Sequence, residues 1–330
     1  MKTSKALLTL FILLLIHLVG NTQTPYNSQG FMSTQYFNPA AVGFGLTNRF
    51  QSFYRTQFVG VGQPFYTAGV ALDFGFVKTD DNLSNSLGYG IQGVSDRVLN
   101  GILQTNSITN SLAYRVYFNE KKSSYFSLGI GFSVLTRTID ASSLTFGDQF
   151  YSGRLFNASS LEAIKKFPTK YTTNSGFMYG YQSEKWYLQL GASAYFINRT
   201  TNSDINEDAT QNYQFLSMLN MEYQLEDLKT ILFHAEYQNR LEKEYFYLGA
   251  AVGLPINDER NRLYVGCFYR DKDAIIPYFG LIYNKYKMGI SYDIYSNKLT
   301  SSNLRPQTIE FSLTTTLGHR FSENLKSLFD

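Results

Sequence analysis

The sequence predicts an all-β protein, a transmembrane outer-membrane β-barrel of about 14 antiparallel strands preceded by a cleaved N-terminal signal peptide. Three observations carry this expectation. Apolar residues alternate with polar or small ones at a period of two along nearly the whole chain. An apolar leader opens the chain, yet no later run approaches the roughly 18 residues of a spanning helix. Aromatic residues make up 16% and charged residues only 17%, whereas soluble domains carry about a quarter charged. Hydrophobic residues reach only 44%, which excludes a bundle of membrane helices.

The leader comes first. Lys2 and Lys5 precede an apolar run from Ala6 to Val19, followed by Gly20, Asn21 and Thr22. A positive start, a short apolar middle and a small polar exit describe a secretory signal peptide over residues 1–22, with cleavage between Gly20 and Gln23. No cysteine lies there, so a lipid-anchored leader is excluded. Two lysines leave with the leader, so the formal charge falls from +3 to +1. A near-neutral chain is a poor partner for nucleic acid, which needs clustered Lys and Arg. The single cysteine, Cys267, permits no internal disulfide and no thiolate zinc cluster.

Residues 23–46 are rich in Asn, Gln, Gly and aromatic side chains and form an N-terminal periplasmic or plug segment. The barrel itself is assigned to 47–318, and 319–330 is a short periplasmic tail. Alternating segments begin near 47, 65, 87, 103, 124, 173, 185, 212, 228, 245, 262, 275, 285 and 305. Tyr286, Met288, Ile290, Tyr292 and Ile294 share one face, opposite Lys287, Gly289, Ser291 and Asp293. Phe126, Leu128, Ile130 and Phe132 likewise oppose Tyr125, Ser127, Gly129 and Gly131. A β-sandwich or a propeller is the soluble alternative, but no propeller repeat is present. Segments of about ten residues, apolar outside and polar or small inside, fit a membrane barrel, and an open sheet edge cannot exist in lipid. Tyr114, Tyr117, Tyr283, Tyr286 and Tyr295 at strand ends suit interfacial belts. Leu128 and Ile130 are expected on the lipid face, with Ser127 and Gly129 inside. Ile130→Arg is then expected to cost about 2–4 kcal/mol, and Ser127→Arg much less if the lumen is roomy.

With both termini periplasmic, connections after odd strands lie outside. The two longest, 139–172 and 198–211, follow strands five and seven and so fall outside. The tight turns at Asn119–Ser123, Ser183–Lys185 and Asn284–Lys285 fall inside. The 78–86 connection is longer than a periplasmic turn requires. A wide barrel needs filling, and either 23–47 or the 139–172 loop is placed to do it. Within that loop, Ser159-Ser160-Leu161-Glu162 has capping-box spacing before Lys166, Phe167 and a stop at Pro168. Its aromatic residues Phe146, Phe150, Tyr151 and Phe156 either fold over the mouth or meet a protein partner.

Few residues suit catalysis. After the leader is removed only His234 and His319 remain. His234 shares an inward face with Glu236, which favours a structural role, and His319 lies beyond the last strand. Cys267 alternates with Leu263, Val265 and Tyr269 and reads as a small lipid-facing or buried residue. No nucleophile elbow, phosphate loop or zinc-spaced His pair occurs. The chain therefore reads as a non-enzyme without metal or cofactor. Inward charges at Arg115, Glu222, Glu236, Arg270, Asp293 and Glu310 either line a pore or pair with one another.

Several segments resemble one family. Phe37-Asn38-Pro39-Ala40-Ala41-Val42-Gly43 is similar to the Phe-Asn-Pro-Ala-x-x-Gly opening of the PorP/SprF family of type IX secretion system membrane proteins. Arg55-Thr56-Gln57-Phe58-Val59-Gly60-Val61-Gly62-Gln63-Pro64 resembles its Arg-x-Gln-Trp-x-Gly turn ending in Gly-x-Pro, with Phe58 in place of Trp and the turn one residue shorter. Tyr269-Arg270-Asp271-Lys272-Asp273-Ala274 matches Tyr-Arg-x-x-Asp-Ala, and Gly289-Ile290-Ser291-Tyr292-Asp293 resembles Gly-Tyr-Ser-Tyr-Asp. Ile309-Glu310 with Phe311, Leu313 and Gly318 resembles the last strand, with Gln307-Thr308 where the family has Ser-His. These matches run in family order from about 31 to 318.

The resemblance implies an outer-membrane protein serving type IX secretion. Its partners would be a large secreted surface protein of the adhesin type (gliding motility included), other secretion components and outer-membrane lipid. It supplies no catalytic residue or cofactor. A pore or transporter for small or hydrophobic substrates is the alternative, and a free-standing adhesin or structural barrel is the third class.

Overall fold

The computed structural model describes residues 27–43, 48–60, 62–77, 85–118, 123–140, 144–145, 149–150, 167–198, 213–240, 243–256, 258–296 and 306–317. The leader, the 319–330 tail with His319, and the capped segment from Ser159 to Lys166 lie outside the described residues.

Alternating sequence becomes strand because each strand then offers one face to lipid and one to the lumen. The strands are β1 Asn48–Val59, β2 Phe65–Val77, β3 Ser86–Val98, β4 Leu103–Tyr117, β5 Ser124–Ile139, β6 Lys170–Gln182 and β7 Trp186–Tyr195. They continue as β8 Gln214–Gln224, β9 Thr230–Arg240, β10 Lys243–Ile256, β11 Asp258–Arg270, β12 Ala274–Tyr283, β13 Tyr286–Tyr295 and β14 Gln307–Leu317. All pairings are antiparallel between chain neighbours, and β14 pairs with β1 to close a barrel of 14 strands. Closure puts Arg55 directly opposite Glu310. Leaving no free edge is what lipid demands, because unpaired backbone groups have no water there.

The face assignment holds. Leu128 and Ile130 are 56% and 65% exposed on the outer wall, while Ser127 is 0% exposed inside. The 140–169 and 196–213 connections both leave the same rim, and the short 183–185 and 284–285 turns leave the other. Outer-membrane barrels turn their long loops outward, so the long-loop rim is the outer one. Aromatic pairs mark the outer wall near both rims: Phe132–Tyr171 and Tyr237–Phe246 toward the long loops, Trp186–Tyr223 toward the short turns. Two tyrosines expected in those belts are not there. Tyr117 is buried inside, edge-on to Tyr125, and the Tyr295 hydroxyl bonds Thr308 across the lumen face. Each sits near a strand end, where a tyrosine's apolar body and polar tip suit a filled lumen as well as an interface.

Residues 27–43 lie inside this barrel. They form three short turns of helix, Gly30–Met32, Thr34–Phe37 and Pro39–Ala41, and apart from Tyr36 they are buried. Their apolar side chains make the core together with inward aromatics. Phe31 stacks on Phe268, meets Tyr278 edge-on and tilts against His234, with centroids 5.2, 5.3 and 5.2 Å away. Tyr247 stacks on Phe268 in turn. So the main hydrophobic core lies inside the barrel, between this segment and the wall.

Candidate functional site

The leading end of the segment meets a buried charged cluster supplied by four strands. Arg55 (β1), Arg270 (β11), Asp293 (β13) and Glu310 (β14) are inward-facing by strand alternation and at most 2% exposed. Arg55 donates from Nη1 to Glu310 Oε2 at 2.8 Å and from Nη2 to Asp293 Oδ2 at 2.9 Å. Arg270 donates to the same Asp293 oxygen at 2.9 Å and to Asp273 at 2.5 Å. Two guanidiniums thus face two buried carboxylates, with Asp273 at the edge. Ser28 completes the cluster. Its backbone N–H donates to Glu310 at 2.7 Å and its hydroxyl donates to Asp293 at 2.8 Å, while Arg55 donates to that hydroxyl at 2.5 Å. The Gln29 N–H adds a second bond to Glu310 at 2.9 Å, and its side chain reaches Ser291 and the Glu310 carbonyl. Tyr247 donates its hydroxyl to the Ser28 carbonyl.

Burying such charges is costly, and the cost is offset only when every lone pair finds a donor. Glu310 cannot be satisfied by the wall alone: two of its bonds come from the Ser28 and Gln29 backbone. The cluster is therefore a receptor for this one stretch of chain.

The other end is held by Asn38-Pro39-Ala40. Pro39 keeps Asn38 out of the helical region, at φ −150° and ψ 115°. From there the Asn38 Oδ1 accepts from Ala40 N at 2.9 Å, capping the turn, while Nδ2 donates to the Phe177 and Ala192 carbonyls at 2.9 and 3.3 Å. Ser193 and Ser127 hydroxyls donate to the Phe37 and Ala40 carbonyls at 2.6 and 2.8 Å. The backbones approach so closely that a Cβ at Gly129 or Gly176 would run into Ala40 or Asn38. Gly43 then turns the chain toward β1 with φ +66°, a left-handed conformation natural to glycine. Arg49 donates to the Ala41 carbonyl at 3.0 Å and forms a bidentate pair with Asp73, and Arg115 donates to the Gly43 carbonyl at 3.2 Å.

The positions singled out by family resemblance thus converge. Asn38, Pro39, Ala40 and Gly43 hold one end of the segment, and Arg55, Arg270, Asp273, Asp293 and Glu310 hold the other. Gln57 lies beside Arg55, its amide oxygen accepting from Nη2 at 3.1 Å once the amide is oriented to satisfy its bonds. Gly60 and Gly62, at φ +82° and +74°, shape the β1–β2 turn that Pro64 closes. Phe58 just before it stacks on Tyr295, which lies 5.8 Å from the Arg270 guanidinium and roofs the cluster. Ala274 is fully buried. Tyr269 and Tyr292 are on the outer wall and take no part in the cluster.

Ser28, Gln29, Ser193, Tyr247 and the Arg49–Asp73 pair were not singled out by the sequence, and Ser127 was read only as a residue facing a roomy lumen. The inward parity of those on strands was readable, but what they touch depends on where the segment runs. Among the other inward charges, Glu222 accepts from Tyr264 and lies 3.7 Å from Arg262, while Arg115 lies over the Tyr125 ring. His234 Nδ1 lies 2.5 Å from Asn220 Oδ1 and Nε2 3.4 Å from Glu236, packed under Phe31 in a structural setting. Cys267 is exposed on the outer wall. Among the described residues no group of His, Cys, Asp and Glu is placed to hold a metal. Of the four aromatics in the long loop, Phe150 is described and exposed, while Phe146, Tyr151 and Phe156 lie outside the described residues.

Solved structures match the chain at low identity. CdiB from Acinetobacter baumannii is 7% identical with a TM-score of 0.44; the match covers 82% of this chain, which spans 60% of the CdiB chain. A Pseudomonas aeruginosa FadL homologue is 10% identical, TM-score 0.48, with 90% and 99% of the two chains covered. The P. putida toluene transporter TodX is 8% identical, TM-score 0.45, with 90% and 95% covered. No curated protein sequence matches the chain. The profile described as "Type IX secretion system membrane protein PorP/SprF" matches residues 19–314. A closed 14-stranded barrel matched over that span is an outer-membrane protein, and the chain belongs to the PorP/SprF family of type IX secretion system membrane proteins.

Proposed function

We propose that this protein is a non-enzymatic scaffold of type IX secretion that supports export and/or cell-surface anchoring of a large adhesin-type partner, in gliding motility or a related process. In this reading residues 1–22 are removed as a signal peptide, 23–46 serve as a fixed plug, 47–318 form the barrel and 319–330 stay periplasmic. One observation carries the proposal: residues 27–43 occupy the lumen and are bonded to the wall at both ends. A barrel filled by its own chain suits a platform. A pore for small or hydrophobic substrates would need this segment to leave its charged cluster.

Strands β5 to β8 end or begin at the outer rim on either side of the 140–169 and 196–213 connections, and in this reading an exported partner meets the chain there. Deleting the gene and blotting the surface proteome tests the proposal: one very large surface protein is expected to disappear, and an unchanged surface proteome overturns it. Shortening 139–172 is expected to leave the barrel assembled and abolish retention, because outer loops tolerate deletion better than strands. Full retention after that deletion, combined with loss in an Asn38/Pro39 double substitution, would put the docking surface on the periplasmic side.

A further inference from the structure

The direction in which residues 27–43 run through the lumen can be followed along a single strand. β14 begins at the outer rim, because the 296–306 connection before it follows an odd-numbered strand, as the 140–169 and 196–213 connections do. Going inward along β14, Glu310 accepts from the Ser28 and Gln29 backbone N–H groups. Ser312 then donates to the Gln29 side-chain carbonyl at 2.6 Å, and Thr314 donates to the Met32 carbonyl at 3.1 Å. The segment therefore joins this ladder at its outer end and descends.

Both ends of the segment agree. Arg270 is the last residue of β11, Asp273 lies in the turn that follows, and Asp293 is two residues from the end of β13, so the charged cluster that holds Ser28 sits under the outer rim. Gly43 is bonded by Arg115, two residues from the inner end of β4, and sits against Gly88, two residues into β3 from the same rim. The chain thus starts high in the lumen, although β1, which it feeds, begins at the inner rim.

Reach then decides where the residues before Asn27 can go. From Glu310 the outer end of β14 is three residues away, about 10 Å, and the inner end seven residues, about 23 Å. With the leader cut between Gly20 and Gln23 as proposed, four to six residues precede Asn27, and they span at most about 14–22 Å at full extension. That is enough for the outer rim. The inner rim lies beyond it, behind a lumen filled by Phe31 and its aromatic neighbours.

We propose that the mature amino terminus is on the outer face of the barrel, and that residues 27–43 are a strap hinged at the inner rim and latched under the outer one. Because the strap continues into β1 at the inner rim, it lets go only at its outer end. Loss of the Ser28 latch swings the amino terminus down toward the periplasm and clears the lumen. The inference rests on removal of the leader, and it adds the chain's own amino terminus to the face that an exported partner meets.

Cysteine labelling on intact cells tests this, using full-length protein in which Cys267→Ser removes the exposed thiol. The probe is a maleimide on a polyethylene glycol too large to cross the outer membrane. A short Gly/Ser insertion carrying one cysteine is placed between Gln23 and Thr24. Lys272→Cys in the β11–β12 turn and Lys229→Cys in the β8–β9 turn, where the lysine side chains are 89% and 48% exposed, mark the outside and the inside. The inserted cysteine is expected to label on intact cells as Lys272→Cys does, while Lys229→Cys labels only after the outer membrane is opened. Adding Arg55→Ala is expected to abolish the outside label and restore it only on opening. Labelling of the inserted cysteine only after opening, or not at all, overturns the outward terminus. Undiminished outside labelling with Arg55→Ala overturns the latch. Heat-modifiable gel migration checks that each barrel is closed. If the insertion prevents closure, Thr24→Cys carries the same readings; if Arg55→Ala does, Ser28→Pro takes its place, since it removes the backbone donor to Glu310 without touching the wall. The intact mass of the purified protein checks the leader separately: a chain still carrying residues 1–22 contradicts its removal, while the labelling still decides which way the strap runs.

Discussion

Arg55 is the residue on which the charged cluster turns. It is fully buried and bonds both carboxylates and the Ser28 hydroxyl. Removing one partner from a buried ion network leaves an uncompensated charge, at a cost of about 3–5 kcal/mol. Arg55→Ala is therefore expected to lower unfolding stability in micelles by that amount and to make the bond following the buried Phe31 accessible to protease. A loss under about 1 kcal/mol, with the segment still protected, would show the cluster to be incidental. Arg55→Lys should recover only part of the loss, since a single ammonium cannot reproduce the two-armed geometry. Ser28→Ala is the milder change: it removes hydroxyl bonds while its backbone bond to Glu310 stays. The expected cost is about 1–3 kcal/mol, read from the same unfolding curves.

Among the elements, β5 and β6 show how the filled lumen changes what a substitution does. Ile130→Arg places a charge in lipid and is expected to cost about 2–4 kcal/mol. Ser127→Arg was expected to be mild in a roomy lumen. It is not mild here, because Ser127 is fully buried and donates to Ala40. Both variants should destabilise, by different routes: I130R weakens the barrel in lipid, and S127R displaces the N-terminal segment from a barrel that stays closed. Limited proteolysis distinguishes the two, and a protected segment in S127R would contradict the tight packing. Gly176→Leu should likewise push Asn38 away from the wall.

All fourteen strand starts were legible to within four residues, 262 against the observed 258 being the furthest. Period-two alternation is a local signal, and lipid outside with a polar lumen inside makes it sharp. The contacts of the segment had no such signal. Ser28 and Glu310 are separated by 282 positions, and nothing near Ser28 says which strand it will meet. Gly129 reads as an ordinary small inward residue, when its role is to let Ala40 come close, and Gly176, which does the same for Asn38, carries no signal of its own. The motif residues were visible, but their meeting in one cluster needed the closure register of β1 on β14.

At the scale of the whole molecule, barrel and segment depend on each other. The carboxylates that receive Ser28 come from β13 and β14, so the cluster cannot form until the last strands have closed the sheet. Conversely, the inward aromatics Phe268, Tyr247 and Tyr278 find their packing on Phe31. The product is a barrel with its middle occupied by its own chain. Conductance of the purified full-length protein in planar bilayers tests this most directly. The occupied lumen predicts a silent wild type, with discrete current steps appearing in Gly176→Leu or Arg55→Ala, where the segment has lost its hold. Steady open-channel current from the wild type, unchanged in those variants, would contradict the claim that residues 27–43 close the barrel.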